Sequence, residues 1–143
     1  MSDFVLDNSV AMRWHLESEK ASDQKYAELV LIKLAEEDAV VPNLWHLEAT
    51  NVLMGAEKRG DTTTGEVERF IAQLESLPIH VDPLTANQAF NRILALSRAY
   101  KLSSYDAAYL ELALREGLPL ATLDKNLTKA AKKTNVEIYL KYK

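Results

Sequence analysis

Five short apolar runs punctuate this chain, and helical periodicity fills every gap between them. The runs are Phe4–Leu6, Ala39–Val41, Ile79–Val81, 118–123 and 136–139. Helices are predicted over 10–16, 22–37, 44–59, 63–77, 85–100 and 103–117, with a short lysine-rich helix starting at Asp124. The second of these shows apolar spacing at Tyr26, Leu29, Val30 and Leu34. Thr63-x-x-Glu66, Thr85-x-x-Gln88 and Ser103-x-x-Asp106 read as helix-opening caps, and Gly60 and Gly117 as stops. Strands that are apolar throughout and alternate with amphipathic helices belong to a parallel sheet covered on both faces. The first strand opens the chain, so it lies centrally, and right-handed crossovers carry the chain outward on one side and back to the other. The expected fold is a three-layer α/β/α domain over 1–143. Its central parallel sheet has about five strands in the order 3-2-1-4-5, with a topological switch between strands one and four.

That switch predicts where a ligand sits, because open parallel sheets bind beyond the carboxyl ends of their strands where the order reverses. Asp7 directly follows strand one and Asp124 directly follows strand four, which faces the two carboxylates across the crevice. The helix feeding strand four runs antiparallel to it, and its ~13 residues span about 20 Å, close to the length of the strand. Asp106, at the start of that helix, therefore returns to the same edge. It shares a stripe with Tyr109, Leu110, Ala113 and Leu114. Glu48 lies in the second turn of the helix leaving strand two, on the stripe Leu44, Leu47, Glu48 and Asn51. Asp7 and Asp124 also suit helix N-caps, and Asp106 suits the acidic partner of Ser103, so these three have a structural reading as well. Glu48 has the weakest one.

Carboxylates gathered on one rim repel and are costly unless something neutralises them. Mg²⁺ or Mn²⁺ suits an all-oxygen set, whereas zinc would want histidine or cysteine. The chain has no cysteine, and His15, His46 and His80 show no ligand spacing. A hard cation with open positions fits phosphoester chemistry.

Net charge is −4, which by itself argues against a nucleic-acid partner. Its distribution differs. Lysines 125, 129, 132, 133, 141 and 143 face only Glu137, a local charge of +5 beside a body of −9. Lys125, Lys129, Lys132 and Lys133 lie just beyond Asp124, where they could form a phosphate-binding patch; Arg13 is another candidate phosphate contact. Each has the alternative reading of a solvated helix charge. No apolar run is long enough to span a bilayer and the N-terminus carries no signal-peptide pattern, so a cytoplasmic protein without a membrane partner is expected.

Four blocks together carry a resemblance. They are Val5-Leu6-Asp7-Asn8-Ser9-Val10-Ala11, Pro42-x5-Glu48-x2-Asn51-Val52-Leu53, Leu102-Ser103-x2-Asp106-Ala107-x-Tyr109 and Ala121-Thr122-Leu123-Asp124. In this order and spacing, across essentially the whole chain, they resemble the PIN-domain ribonucleases, most closely the VapC-type toxins of toxin–antitoxin pairs. The resemblance implies a Mg²⁺- or Mn²⁺-dependent endoribonuclease. Asp7 and Asp106 would be the principal metal ligands, with Glu48 and Asp124 completing the quartet. Ser9 and Thr122 match small hydroxyl positions that hold the acids or a water. Asn126 stands where some relatives have a further acid, a departure from the set that would hold a second metal tightly. The resemblance further implies a homodimer, an antitoxin protein that lays a segment into the acidic groove, and a structured RNA substrate such as transfer RNA, cut to leave a 5′-phosphate. Met12, Trp14 and Trp45 are candidates for the dimer surface, and each reads just as readily as core.

The alternative is a non-catalytic PIN-like module that binds RNA or a protein. A complete acidic quartet argues against it, since a binding module has no reason to keep four mutually repelling carboxylates. A phosphatase or receiver domain would need a second acid two residues after the first, and Asp7-Asn8-Ser9 has none.

Overall fold

The computed structural model describes residues 1–141, so Lys143 of the basic segment lies outside the described residues. Strands β1 (Phe4–Leu6), β2 (Ala39–Val41), β3 (Ile79–Val81) and β4 (Leu120–Ala121) form one parallel sheet in the order β3-β2-β1-β4. Val5 sits at the centre, paired with Val40 on one side and Leu120 on the other. The first strand is central because it is the most apolar: all three of its residues are fully buried, whereas His80 and Val81 of the β3 edge are exposed.

The sheet has four strands, not five. The predicted fifth run contributes a single parallel bridge, Ile138 to Leu120. It lies on the far side of β4, where sequence placed it. Asn135 and Leu140 both adopt positive φ, 64° and 61°, which limits the extended stretch between them to a few residues. Side chains secure what pairing does not: Tyr139 stacks on Phe4 with ring centroids 4.0 Å apart, and the Tyr26 hydroxyl donates to the Tyr139 carbonyl at 2.7 Å.

Eight α-helical segments among the described residues cover the sheet: α1 (Asn8–Ala11), α2 (Ala21–Lys33), α3 (Trp45–Arg59), α4 (Thr64–Glu75), α5 (Thr85–Gln88), α6 (Leu94–Tyr100), α7 (Ser104–Glu116) and α8 (Lys125–Lys133). A 3₁₀ turn at Met12–Trp14 extends α1, and a π turn at Ala89–Ile93 joins α5 to α6. Thr63 and Glu66 form the predicted reciprocal cap. Thr85 does not cap its helix: its hydroxyl accepts instead from the Asn43 backbone at 2.9 Å, tying the loop after β2 to the loop after β3. Gly60 (φ 79°) and Gly117 (φ 65°) end α3 and α7 in the left-handed region as expected.

One continuous core joins sheet and helices, and Tyr109, Phe4, Leu6 and Met12 are among its largest fully buried side chains. Met12 and Trp45 are buried within the protomer, and Trp14 donates its indole N–H to the Ala27 carbonyl at 2.7 Å. Met12 and Trp45 are therefore core residues and offer no dimer surface, while Trp14 is half-buried against the core. Among the described residues no helix is long and apolar enough to cross a membrane.

Candidate active site

Asp7 ends β1 and is 4 % exposed. Its side chain does not cap α1. Both short hydroxyls of the neighbourhood turn to it instead: Ser9 Oγ donates to Oδ2 at 2.6 Å and Thr122 Oγ1 to the same atom at 2.8 Å. Parallel pairing of Leu6 with Ala121 makes this possible, since it sets the residues after β1 and β4 side by side. The hydroxyls also receive backbone N–H groups, Leu123 to Ser9 Oγ at 3.0 Å and Asp124 to Thr122 Oγ1 at 3.0 Å. Burial lifts the Asp7 carboxyl to about 6, against the two hydroxyl bonds and with help from the charges of Glu48 and Asp124.

Asp124 does cap its helix, accepting from the Leu127 N–H on Oδ1 at 2.8 Å. The capping reading therefore holds for Asp124 and fails for Asp7. Asp106 follows Ser103, whose hydroxyl accepts from the Asp106 backbone N–H at 3.1 Å. Burial raises the Asp106 carboxyl to about 6, reinforced by Asp124 and Asp7 and opposed by a hydrogen bond with Ser103.

Glu48 reaches the same place by a different route from the one expected. Leu47 is 72 % exposed and Asn51 is exposed, so the stripe read from sequence is not the buried one. The core face of α3 is Trp45, Ala49, Leu53 and Ala56, and Glu48 borders it. What fixes Glu48 is the hydroxyl of buried Tyr109, which donates to Oε1. Burial raises its pKa, the Tyr109 bond lowers it, and Asp106 raises it again.

Asp7 thus feels the charges of Glu48 and Asp124, Asp106 those of Asp124 and Asp7, and Glu48 that of Asp106, which links the four acids. Asp7, Glu48 and Asp124 share a pattern: one oxygen is anchored by a protein donor, and among the described residues Asp7 Oδ1, Glu48 Oε2 and Asp124 Oδ2 have none. Next to Asp7, Asn8 is buried and its Oδ1 has no hydrogen-bond partner. An all-oxygen set of this kind, rich in charge and short of donors, suits a hard divalent cation. Among the described residues no three His, Asp or Glu side chains already stand close enough to form a closed cation cage. Drawing the four repelling groups together is then part of what a cation would do.

The remaining expectations divide. His15 binds Thr62 at 2.8 Å, His80 pairs with Asp38 at 2.9 Å, and His46 lies edge-on to Trp45; none takes part in the acidic site. Lys125, Lys129, Lys132 and Lys133 are exposed on α8. Of these only Lys129 and Lys133, together with Asn126, line a groove against Tyr100 and Lys101. Arg13 is half-buried in the 3₁₀ turn, where its carbonyl accepts from Gln24 at 3.0 Å. Tyr109 was legible only as a core position, because nothing in its spacing shows that its hydroxyl lands on Glu48.

A family model described as PIN domain matches residues 4–133. No curated protein matches the chain. Among solved structures it is similar to PAE2754 from Pyrobaculum aerophilum, with 22% identity, a TM-score of 0.66, and coverage of 90% of this chain and 79% of that one. It is also similar to a toxin-antitoxin complex from Klebsiella pneumoniae, at 20% identity and a TM-score of 0.58, covering 85% of this chain and 87% of that one. At these identities the likeness is one of fold.

Proposed function

The chain belongs to the PIN domain family, whose members are generally nucleases, and we propose that it is an endoribonuclease dependent on Mg²⁺ or Mn²⁺. One observation carries this reading: Asp7 and Asp106 are both held near 6 by burial and by neighbouring acids, with no arginine or lysine paired to either among the described residues. Buried acids with a structural role are normally neutralised by a protein cation. Here that place is left for something else.

Asp7 and Asp106 would hold the cation, with Glu48 and Asp124 completing the shell. When bound, the cation supplies charge neutralisation and Lewis acidity at the phosphoryl group. The protein's own residues do the rest. Ser9 and Thr122 fix Asp7 Oδ2 and so orient the free oxygen. Tyr109 fixes Glu48 in the same way. Glu48, its pKa raised, is placed to take a proton from a water attacking phosphorus in line, and the bond to the 3′-oxygen breaks to leave a 5′-phosphate. Asp124 is anchored at the mouth of α8, where it can orient the same water.

The shared fold of the Klebsiella pneumoniae toxin-antitoxin complex supports the role of a toxin held in check by a separate antitoxin protein. A homodimer and a structured RNA substrate, transfer RNA among them, belong to this proposal.

The test is cleavage of an RNA mixture by purified protein with Mg²⁺, Mn²⁺ or a chelator, followed by sequencing of the ends. Cleavage that needs metal and is lost in Asp7→Asn and Asp106→Asn is expected. Undiminished cutting by either variant would remove the mechanism. No cutting under any condition, with RNA still bound, would favour the non-catalytic module.

A further inference from the structure

Beside the acidic site the structure forms a groove of about 280 Å³ lined by Tyr100, Lys101, Asn126, Lys129, Ala130 and Lys133. We infer that this groove is the track for a single-stranded stretch of RNA next to the bond being cut, with a base stacked on Tyr100 and the phosphates on Lys101, Lys129 and Lys133. The inference rests on the endoribonuclease reading above and adds where the substrate runs.

Three observations carry it. The first is charge. All three lysines are exposed, and among the described residues none is engaged in an ion pair. Three unpaired ammonium groups around one concavity, on a chain of net charge −4, form a local attraction for a polyanion. The second is placement. Asn126 is two residues past Asp124, and Lys101 is two residues before Ser103, the cap of the helix that carries Asp106. The groove therefore opens where both acids begin. Lys129 and Lys133 continue it along α8, about 6 Å apart on the helix axis. The third is the make-up of the lining. Tyr100 is half-buried, packed against the core, and lines the groove together with Asn126. Lysines alone serve any anion. An aromatic plane with a neighbouring hydrogen-bonding amide serves a base as well.

Lys101 reaches this position through an uncommon backbone. It ends α6 in the left-handed region with φ 54°, where glycine or asparagine is usual. A glycine there would close the helix without strain and remove the charge. The acidic cup and the basic groove thus divide the work: the cup cannot bind a bare phosphate, and the groove can deliver one to it.

The experiment measures binding of a fluorescent uridine oligoribonucleotide to the full chain in a chelator, which suppresses cleavage. Lys129→Ala and Lys133→Ala should each weaken binding and lower the salt-dependence slope by about 0.7, the value for one single-strand phosphate contact. Tyr100→Ala should weaken it roughly fivefold to a hundredfold, with Tyr100→Phe close to wild type. Lys25→Ala, on exposed α2, is the control and should match wild type. Because Tyr100→Ala could disturb packing, the lysine variants decide if its melting curve shifts. Unchanged affinity and slope in both lysine variants would overturn the groove while leaving the nuclease reading in place. Conversely, no metal-dependent cutting by the wild type, with RNA still bound, would sink the nuclease reading without touching the binding result. A poly-glutamate peptide that displaces RNA at equal charge, with Tyr100→Ala without effect, would assign the groove to an acidic protein segment and overturn the RNA proposal.

Discussion

Tyr109, fully buried on α7, donates its hydroxyl to Glu48 on α3 and so joins the helix that leaves β2 to the helix that leads into β4. One phenol thereby ties together the elements that carry Glu48 and Asp106.

Replacing it with phenylalanine removes the hydroxyl and little else. Tyr109→Phe leaves Glu48 Oε1 without its donor, a cost of about 1–3 kcal/mol. It also removes the one contact that lowers the Glu48 pKa, so that pKa should rise further. Urea denaturation should show the loss of stability, and the acidic limb of the pH–rate profile for RNA cleavage should move to higher pH. An unchanged limb would mean that Glu48 does not titrate in the reaction.

Asp7 should give the metal-free protein an unusual response to pH. Its carboxyl titrates near 3.8 in the unfolded chain and about 6 in the folded one. Between those values the folded state holds a proton that the unfolded state has released, so stability falls as pH rises through the window and levels off above it. For Asp7 the fall is on the order of 3 kcal/mol. In a chelating buffer, the urea midpoint should drop between pH 4 and pH 7. Asp7→Asn, which cannot ionise, should drop less and be the more stable protein at pH 7. Parallel curves for the two proteins would contradict the burial of an ionising Asp7.

A divalent cation should reverse that penalty. At neutral pH, Mg²⁺ or Mn²⁺ at a hundred times its dissociation constant stabilises the native state by about 2.7 kcal/mol, a rise of several degrees in melting temperature. At pH 5 protons hold Asp7 and Asp106 and the rise should shrink or vanish. Asp106→Asn should blunt it at every pH. A flat melting temperature at millimolar metal and pH 7.5 would show that these carboxylates do not gather around a cation.

Much of this arrangement was legible in the sequence because it follows from periodicity. Apolar strands alternating with helices fix a parallel sheet, the sheet fixes its carboxyl edge, and Asp7 directly follows β1 there; β4 ends at Ala121, so Asp124 follows it three residues on rather than directly. Illegible features depend on contacts between distant side chains. Glu48 was placed correctly on a mistaken stripe, since Leu47 faces solvent and the Tyr109 bond does the holding. The fifth strand looked as apolar as the others, but backbone turns at Asn135 and Leu140 cut it to one bridge. Nor is a buried acid by itself a sign of a metal site. Glu111 is more buried than Asp7, at 2 % against 4 %, and Asp82 also ends a strand, yet neither belongs to the quartet. What separates the two groups is a protein cation.

That cation is Arg115. Its guanidinium grips Asp82 with both ends, Nη1 to Oδ1 at 3.1 Å and Nη2 to Oδ2 at 2.8 Å, while Nε reaches Glu111 Oε2 at 2.8 Å. Both acids are buried, so removing the arginine strands two charges in a poorly solvated place. Arg115→Met should destabilise the fold by about 3–5 kcal/mol. Arg115→Lys keeps the charge but cannot fork to two carboxylates, and should lie between wild type and Met. Adding Asp82→Asn and Glu111→Gln to Arg115→Met should restore most of the loss, because the stranded charges are then gone. Urea denaturation of the four proteins measures each step. A loss below about 1 kcal/mol in Arg115→Met would mean that water reaches these acids. Their pairing would then no longer distinguish them from Asp7 and Asp106.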